Sequence, residues 1–532
     1  MNTVFKPRKV YLAASWMAPV GRYNGKDRAE LSFLEMAEQC SQVFSGSPVR
    51  RRDIDAVVVG SQNPAAFSGV DNTAAKISGI LGISGVKSVL IDTASSSGAS
   101  AFENAYLEVA SGRHDHVLAI GIQKMSDAST LDATRIIAGV IDKDEAEYGL
   151  TMPACGALVA STLQQRFGFS DLEWSAYSAL LSQRSHRFSS QTPEAHLRQP
   201  LPVEDYFSQV ASGKNYRYWS PLRYHDYCPM SDGVAAVIVT SRPQDILVAG
   251  LGSATDIPTI ADRNYFHSFP ATVIAAGYTY GMAGLRDIRR LEGRMHVNMH
   301  DPFNGFGPIN LVDLGVVSQN RLFDALLDDR ITGPGGSFPT NLTGGLKGRG
   351  HPLGATGLIQ VVENHRLIRE SGFAAGLSHS IGGPINNNVV ILLENTESYQ
   401  RRPHEPYRPW GLPSLGCPKP RDVTVDALLA QNGVCKGEFI HATVRYNYKS
   451  GQPEVMLVIV ACKYSGTKYR FLFGIDGHYY HELQGLISGD ELVLEKHEDG
   501  ISLNRLPVRR FYQRTLKGML DIAGSGWHRL MA

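Results

Sequence analysis

With 52 Lys and Arg against 51 Asp and Glu, the 532-residue chain carries a net charge of only +1, and its 43% hydrophobic content suffices for several packed domains. Such neutrality argues against a nucleic-acid partner, and the short basic clusters at 50–52, 289–290 and 509–510 read as solvated faces. No apolar run approaches a membrane span and the first residues lack a signal-peptide core, so a cytoplasmic protein with no membrane partner is expected.

Short apolar runs at 10–14, 54–59, 88–91 and 116–121 alternate with helical stretches at 30–44 and 73–81, the pattern of an α/β fold. A polar, helix-rich insertion over 124–227 follows, and a buried strand returns at 232–240. Residues 246–393 supply a second set of such elements. Gly250 and Gly252 after a strand lack the third glycine of a dinucleotide fingerprint, so that reading is set aside. Prolines at 403, 406, 409, 413, 418 and 420 mark a semi-rigid linker. Beyond it the texture is β: Ile440, Ala442, Val444 and Tyr446 share one face of a strand at 439–448, and further strands are predicted at 455–462, 469–475, 491–495 and 501–506. Five short strands in about 110 residues suit a small barrel of the oligonucleotide/oligosaccharide-binding (OB) type. The six cysteines lie far apart without CxxC spacing, which predicts reduced, packed thiols and no metal site.

One stretch says most about chemistry. Residues 344–357 read GGLKGRGHPLGATG, with His351 just before a Pro and the start of an apolar helix. Pro352 suits a helix's first turn. A histidine at the positive end of a helix dipole is held neutral and can accept a proton. Ser95-Ser96-Ser97-Gly98-Ala99-Ser100-Ala101 aligns without gaps against 351–357, at an offset of 256 residues. At that offset the helix opening near Gly98 matches the one near Gly354, and a strand at 116–123 falls on one at 372–379. A helix and strand repeated in register indicate a duplicated α/β half, with Ser95 and His351 at matching helix ends.

The histidine string closely resembles the histidine loop of the thiolase superfamily. Three further strings fall in that family's order: Cys228-Pro229-Met230-Ser231-Asp232-Gly233, His300-Asp301-Pro302-Phe303 and Ser380-Ile381-Gly382-Gly383. The second resembles the HDCF loop of sterol-carrier-protein-type thiolases, with Pro302 in place of the cysteine. The resemblance implies two βαβαβαββ-type halves, an N-terminal half at 1–123 and 228–245 and a C-terminal half at 246–396. It further implies a loop domain at 124–227, a linker at 397–420 and an added OB-like β-domain at 421–532.

It also implies site residues. Ser95 stands at the position of the nucleophilic cysteine and Ser380 at that of the acid/base cysteine. His351 is the expected base, His300 the expected donor to a thioester oxygen, and the Ser95 and Gly382 amides an oxyanion hole. Cys228, Pro229, Ser231 and Gly382 are expected along the pantetheine arm. A hydroxyl, unlike a thiol, needs a base to take its proton as it attacks, so ordinary thiolysis is not expected. The implied activity is transfer of an acyl group from a coenzyme A thioester, which is substrate and not resident cofactor. The alternatives are a retro-aldolase on a β-hydroxyacyl-CoA and a non-catalytic CoA-binding protein. A homodimer is the expected assembly, with a monomer possible if the added domain blocks the shared edge. Other histidines, His186 and His225 among them, are assigned to surface or loop roles.

Overall fold

The computed structural model describes residues 7–264, 266–399, 402, 418–432, 434–483, 486, 488–497 and 500–505. Nine strands form the larger sheet: β1 (Tyr11–Met17), β2 (Ala56–Gly60), β3 (Lys87–Ile91), β4 (His116–Gln123), β5 (Gly233–Thr240), β6 (Ile246–Thr255), β7 (Met295–Asn298), β8 (Ala375–Gly382) and β9 (Asn387–Asn395). Their order is β3-β2-β4-β5-β1-β6-β9-β8-β7. β2 runs parallel to β3 and β4, and β7 parallel to β8. Parallel neighbours need crossovers, supplied here by the helices Thr73–Ile80, Ser97–Ala110 and Thr356–Ser371. The two halves join where Tyr11 of β1 pairs with Leu247 of β6.

The central helices Ser97–Ala110 and Thr356–Ser371 pack on each other and on strands of both halves. Ala99, Phe102, Ala105 and Val109 from one, and Leu358, Ile359, Val361 and Val362 from the other, belong to a single buried core. Both crossing points need glycine. A side chain at Gly98 would sit 2.6 Å from the Gly354 carbonyl, and one at Gly357 would sit 2.6 Å from the Ala99 methyl. The Gln123 side chain ties the halves together further by accepting from the amides of Gln62 (2.9 Å) and Gly354 (3.3 Å). The second half departs from the 256-residue offset: its central helix runs on to Ser371, so β8 begins at Ala375 and not at 372. The helix expected over 30–44 divides into an α-turn at Phe33–Glu38, closed by a Ser32/Glu35 capping box, and a 3₁₀ segment at Gln39–Phe44. The tighter winding stacks Cys40 and Val43 three residues apart on the buried face.

Residues 124–227 hold five α-helices, Thr130–Ala138, Lys143–Glu147, Met152–Phe167, Asp171–Ser189 and Val203–Ala211. Asp232, at the mouth of β5, closes this insertion by accepting from the amides of Met125 (2.7 Å), Ser126 (2.9 Å) and Tyr23 (2.8 Å). Gly250 and Gly252 serve packing, since their strand lies directly against the helix Pro270–Met282.

The second sheet contains β10 (Val434–Tyr446), β11 (Pro453–Tyr464), β12 (Thr467–Asp476), β13 (Glu491–His497) and β14 (Gly500–Arg505), in the order β12-β11-β10-β13-β14. It is antiparallel throughout and curls until β12 approaches β14, giving a small barrel-like body. β11 is apolar on both faces for a reason. Met456, Val458 and Val460 fill the barrel, while Leu457 and Ile459 on the opposite face enter the core of the helical insertion and second half. Backbone bonds from Ser220 to Val444 (2.7 Å) and from Tyr446 to Tyr218 (2.9 Å) reinforce this docking. One expectation is overturned here: Cys435 and Cys462 are joined in a disulfide, because the antiparallel pairing of β10 with β11 sets Cys462 opposite Gly437, two residues along the same face of β10 from Cys435. Cys40, Cys155 and Cys228 are free. Most of the proline-rich stretch at 397–420 lies outside the described residues, as does everything beyond 505.

Candidate active site

Ser95 sits on a tight elbow between β3 and the helix Ser97–Ala110. The elbow turns at Ala94, whose φ of 56° is a left-handed conformation that an alanine adopts at a cost of about 1–3 kcal/mol. Local bonds hold it there: the Ala94 amide donates to Asp92 Oδ1 (2.9 Å), and the Ser97 hydroxyl donates to the Ala94 carbonyl (2.6 Å). Ser95 is left half-buried at the helix start, its hydroxyl free of hydrogen bonds among the described residues. The peptide of Gly382 lies against the same elbow, where any side chain would collide with the Thr93 carbonyl and Ser96.

His351 is positioned from both sides. Its amide donates to Ser231 Oγ (3.2 Å), and its Nδ1 shares a 2.8 Å hydrogen bond with the hydroxyl of Thr356, the first residue of the central helix. Burial, helped by the neighbouring Arg349 guanidinium, pushes its pKa down to about 3, so the ring is neutral at any ordinary pH. Arg349 is itself locked in a buried ion pair with Glu363 (2.8 Å).

His300 stands edge-on to His351, with ring centroids 5.1 Å apart and an interplanar angle of 86°. Its loop is anchored by Asn310, whose Nδ2 donates to the His300 carbonyl (2.6 Å). Its pKa is also pushed well down, first by burial and then by His351, and its Nδ1 has no hydrogen-bond partner. One cavity of about 620 Å³ touches Ser95, His300 and His351 together with Cys228 and Pro229. Burial raises the Cys228 thiol to about 12, which leaves it protonated and a poor nucleophile.

The other predicted residues sit behind the wall. Ser231 braces His351, as above, and bonds His196 Nδ1 at 2.8 Å. Ser380 is buried in β8 beside Gly357, and its hydroxyl has no partner. Three residues that sequence reasoning passed over do line the cavity: His186 and His225, assigned to surface or loop roles, and Lys347, which lies inside the glycine-dense string itself. Only long-range packing of the helical insertion brings the two histidines there, so no local pattern could announce them. Among the described residues no group of His, Cys, Asp or Glu could hold a metal ion, and no helix is long and apolar enough to cross a membrane.

Comparison with known proteins agrees with this architecture. The family described as "Thiolase, N-terminal domain" matches residues 10–204, and "Thiolase C-terminal domain-like" matches 252–395. An acetyl-CoA acetyltransferase of Methanothermobacter thermautotrophicus is 31% identical over 384 residues, covering 68% of this chain and 95% of that protein. Sterol carrier protein 2 of Gallus gallus is 26% identical over 342 residues, 59% of each chain. Among solved structures, a monomeric SCP2-thiolase-like protein from Mycobacterium smegmatis superposes with a TM-score of 0.67 at 15% identity, covering 94% of this chain and all of that one. The chain therefore belongs to the thiolase superfamily of acyltransferases acting on coenzyme A thioesters, in its sterol-carrier-protein type.

Proposed function

We propose that the protein transfers an acyl group from a coenzyme A thioester to a second substrate by way of Ser95. The observation that carries this reading is the meeting of Ser95, His300 and His351 on one cavity. In the proposed step the Ser95 oxygen bonds to the thioester carbon as its proton passes to His351 Nε2. The Thr356 hydroxyl accepts from Nδ1–H and so keeps the Nε2 lone pair available. The carbon–sulfur bond then breaks, and the thiolate of coenzyme A takes the proton from His351. His300 and the Ser95 and Gly382 amides stabilise the charge that develops on the carbonyl oxygen. The acceptor needs its own activation, because a buried Ser380 hydroxyl is a weaker acid/base than the thiol it replaces. No resident cofactor enters this scheme.

The test is the intact mass of the protein after incubation with a panel of acyl-CoAs. An acyl increment on the peptide containing Ser95, absent in Ser95→Ala and much reduced in His351→Ala, supports the reading. A second reading, retro-aldol cleavage of a β-hydroxyacyl-CoA, is favoured by one observation: the Ser95 hydroxyl is unengaged while the two histidines face each other. It requires activity that survives Ser95→Ala and disappears in His351→Ala. Binding of CoA with neither adduct nor turnover would indicate a non-catalytic role. We further propose a cytoplasmic homodimer formed through β3, the edge strand of the large sheet contributed by the N-terminal half, where Leu90 is exposed.

A further inference from the structure

Lys347 is a buried amine whose one hydrogen-bond partner among the described residues is a backbone carbonyl. The residue is 2% exposed and lines the cavity that holds Ser95, His300 and His351. Its Nζ makes one hydrogen bond, to the Tyr227 carbonyl at 3.3 Å, and no ion pair among the described residues. Two of its three protons are thus unpartnered. The carboxylates whose fields reach it are occupied elsewhere. Asp226 accepts from the Tyr206 hydroxyl (3.0 Å), Asn304 Nδ2 (3.0 Å) and the Arg223 amide (2.8 Å), while Asp301 accepts from the Leu346 amide (2.8 Å).

The neighbours on the wall are histidines that burial and the Lys347 charge both hold neutral, His186 and His225. His186 Nδ1 is engaged by the Gln199 carbonyl (2.8 Å), and its buried Nε2 has no partner. A buried ammonium with no carboxylate in ion-pair contact is costly, and the cost falls when an anion arrives. Tyr227 and Phe303 belong to the lining of the same cavity. Whatever anion meets Lys347 must enter the protein interior, which a chain-borne carboxylate does more readily than the heavily hydrated phosphates of coenzyme A.

We infer that this cavity selects acyl thioesters whose acyl chain carries a carboxylate, received by Lys347. The inference rests on the cavity being the acyl site of the proposed transferase. It does not depend on Ser95 being acylated, because it is read by binding alone.

The experiment measures, by calorimetry on the full chain, the affinities of coenzyme A, decanoyl-CoA, the mono-CoA thioester of decanedioic acid and the methyl ester of that thioester. The expected result is binding at least tenfold tighter for the free acid than for its methyl ester or decanoyl-CoA, with coenzyme A weaker than the acid. Repeated with Lys347→Met, the acid and its ester should bind alike, and with Lys347→Arg part of the preference should remain. The acid–ester comparison is made on the unaltered protein, so it stands even if a variant fails to fold. Equal affinity of acid and ester, or a preference that survives Lys347→Met, would overturn the inference. Affinity that tracks coenzyme A alone would assign Lys347 to the phosphates and overturn it equally. Failure of Ser95 acylation with the acid preference intact would remove the proposed chemistry and leave this inference standing.

Discussion

The imidazoles of His300 and His351 stand perpendicular, 5.1 Å between centroids, one on the loop after β7 and the other on the loop before the helix Thr356–Ser371. Neither carries a charge in the folded protein, so one can accept a proton while the other donates. Their roles separate in mutants. His351→Ala should slow Ser95 acylation by about 10²–10⁴-fold, the usual contribution of a general base. His300→Ala should slow it by about 10²–10³-fold through loss of an oxyanion donor. Rates of adduct formation by mass spectrometry check both; equal rates in His300→Ala and the unaltered protein would remove His300 from the site.

Ser95→Cys should form the acyl-enzyme faster than the unaltered protein, because a thiol is partly ionised near neutrality and the elbow at Ala94 already presents the side chain to the cavity. Thiolysis of acetoacetyl-CoA by the unaltered protein should be very weak. Vigorous thiolysis would show that a hydroxyl suffices or that the nucleophile lies elsewhere.

Stability should fall on acidification earlier than carboxylate titration explains. Eight buried histidines, His116, His186, His296, His300, His351, His365, His379 and His441, all have lowered pKa values. The unfolded chain takes up protons on them near 6.5 and the folded one does not, so their stabilisation is complete above that pH and is lost as pH falls towards 4. Glu145, Asp301 and Asp313, raised to about 7, 6 and 7, act in the opposite direction over much the same window, as do Asp226, Glu103 and Glu394, which burial also raises. The histidines outnumber them, so the net effect of acidification through this window is a loss of stability. Melting temperatures should therefore hold between pH 7.5 and about 6.5 and drop from there to pH 5; a flat profile below about 6.5 would contradict the neutral histidine cluster.

The barrel should behave as part of the thiolase body and not as a free appendage. Leu457→Ala removes a side chain that β11 lends to the neighbouring core and should cost about 2–5 kcal/mol. His441 Nε2 bonds the buried Ser161 hydroxyl at 2.6 Å across the same interface, so His441→Ala should cost a further 1–3 kcal/mol or about that. Denaturant unfolding should show one transition moving with each variant. Two separate transitions, with only the barrel's affected, would show that the bodies fold independently.

Periodicity and punctuation in the sequence determined the α/β halves, the helical insertion and the β-rich end, because alternating apolar runs and glycine-marked turns are local signals. The Ser95 and His351 strings announced themselves for the same reason: each is a contiguous helix start whose glycines are demanded by the crossing of two helices. Tertiary structure alone decided what those helix starts face. It drew Lys347, His186 and His225 into the same cavity, placed Ser380 behind its wall, and paired Cys435 with Cys462 across a strand register. Each of these depends on segments tens to hundreds of residues apart packing together, and burial, which sets both the charge of a histidine and the isolation of an ammonium, is a property of the packed whole and not of any string within it.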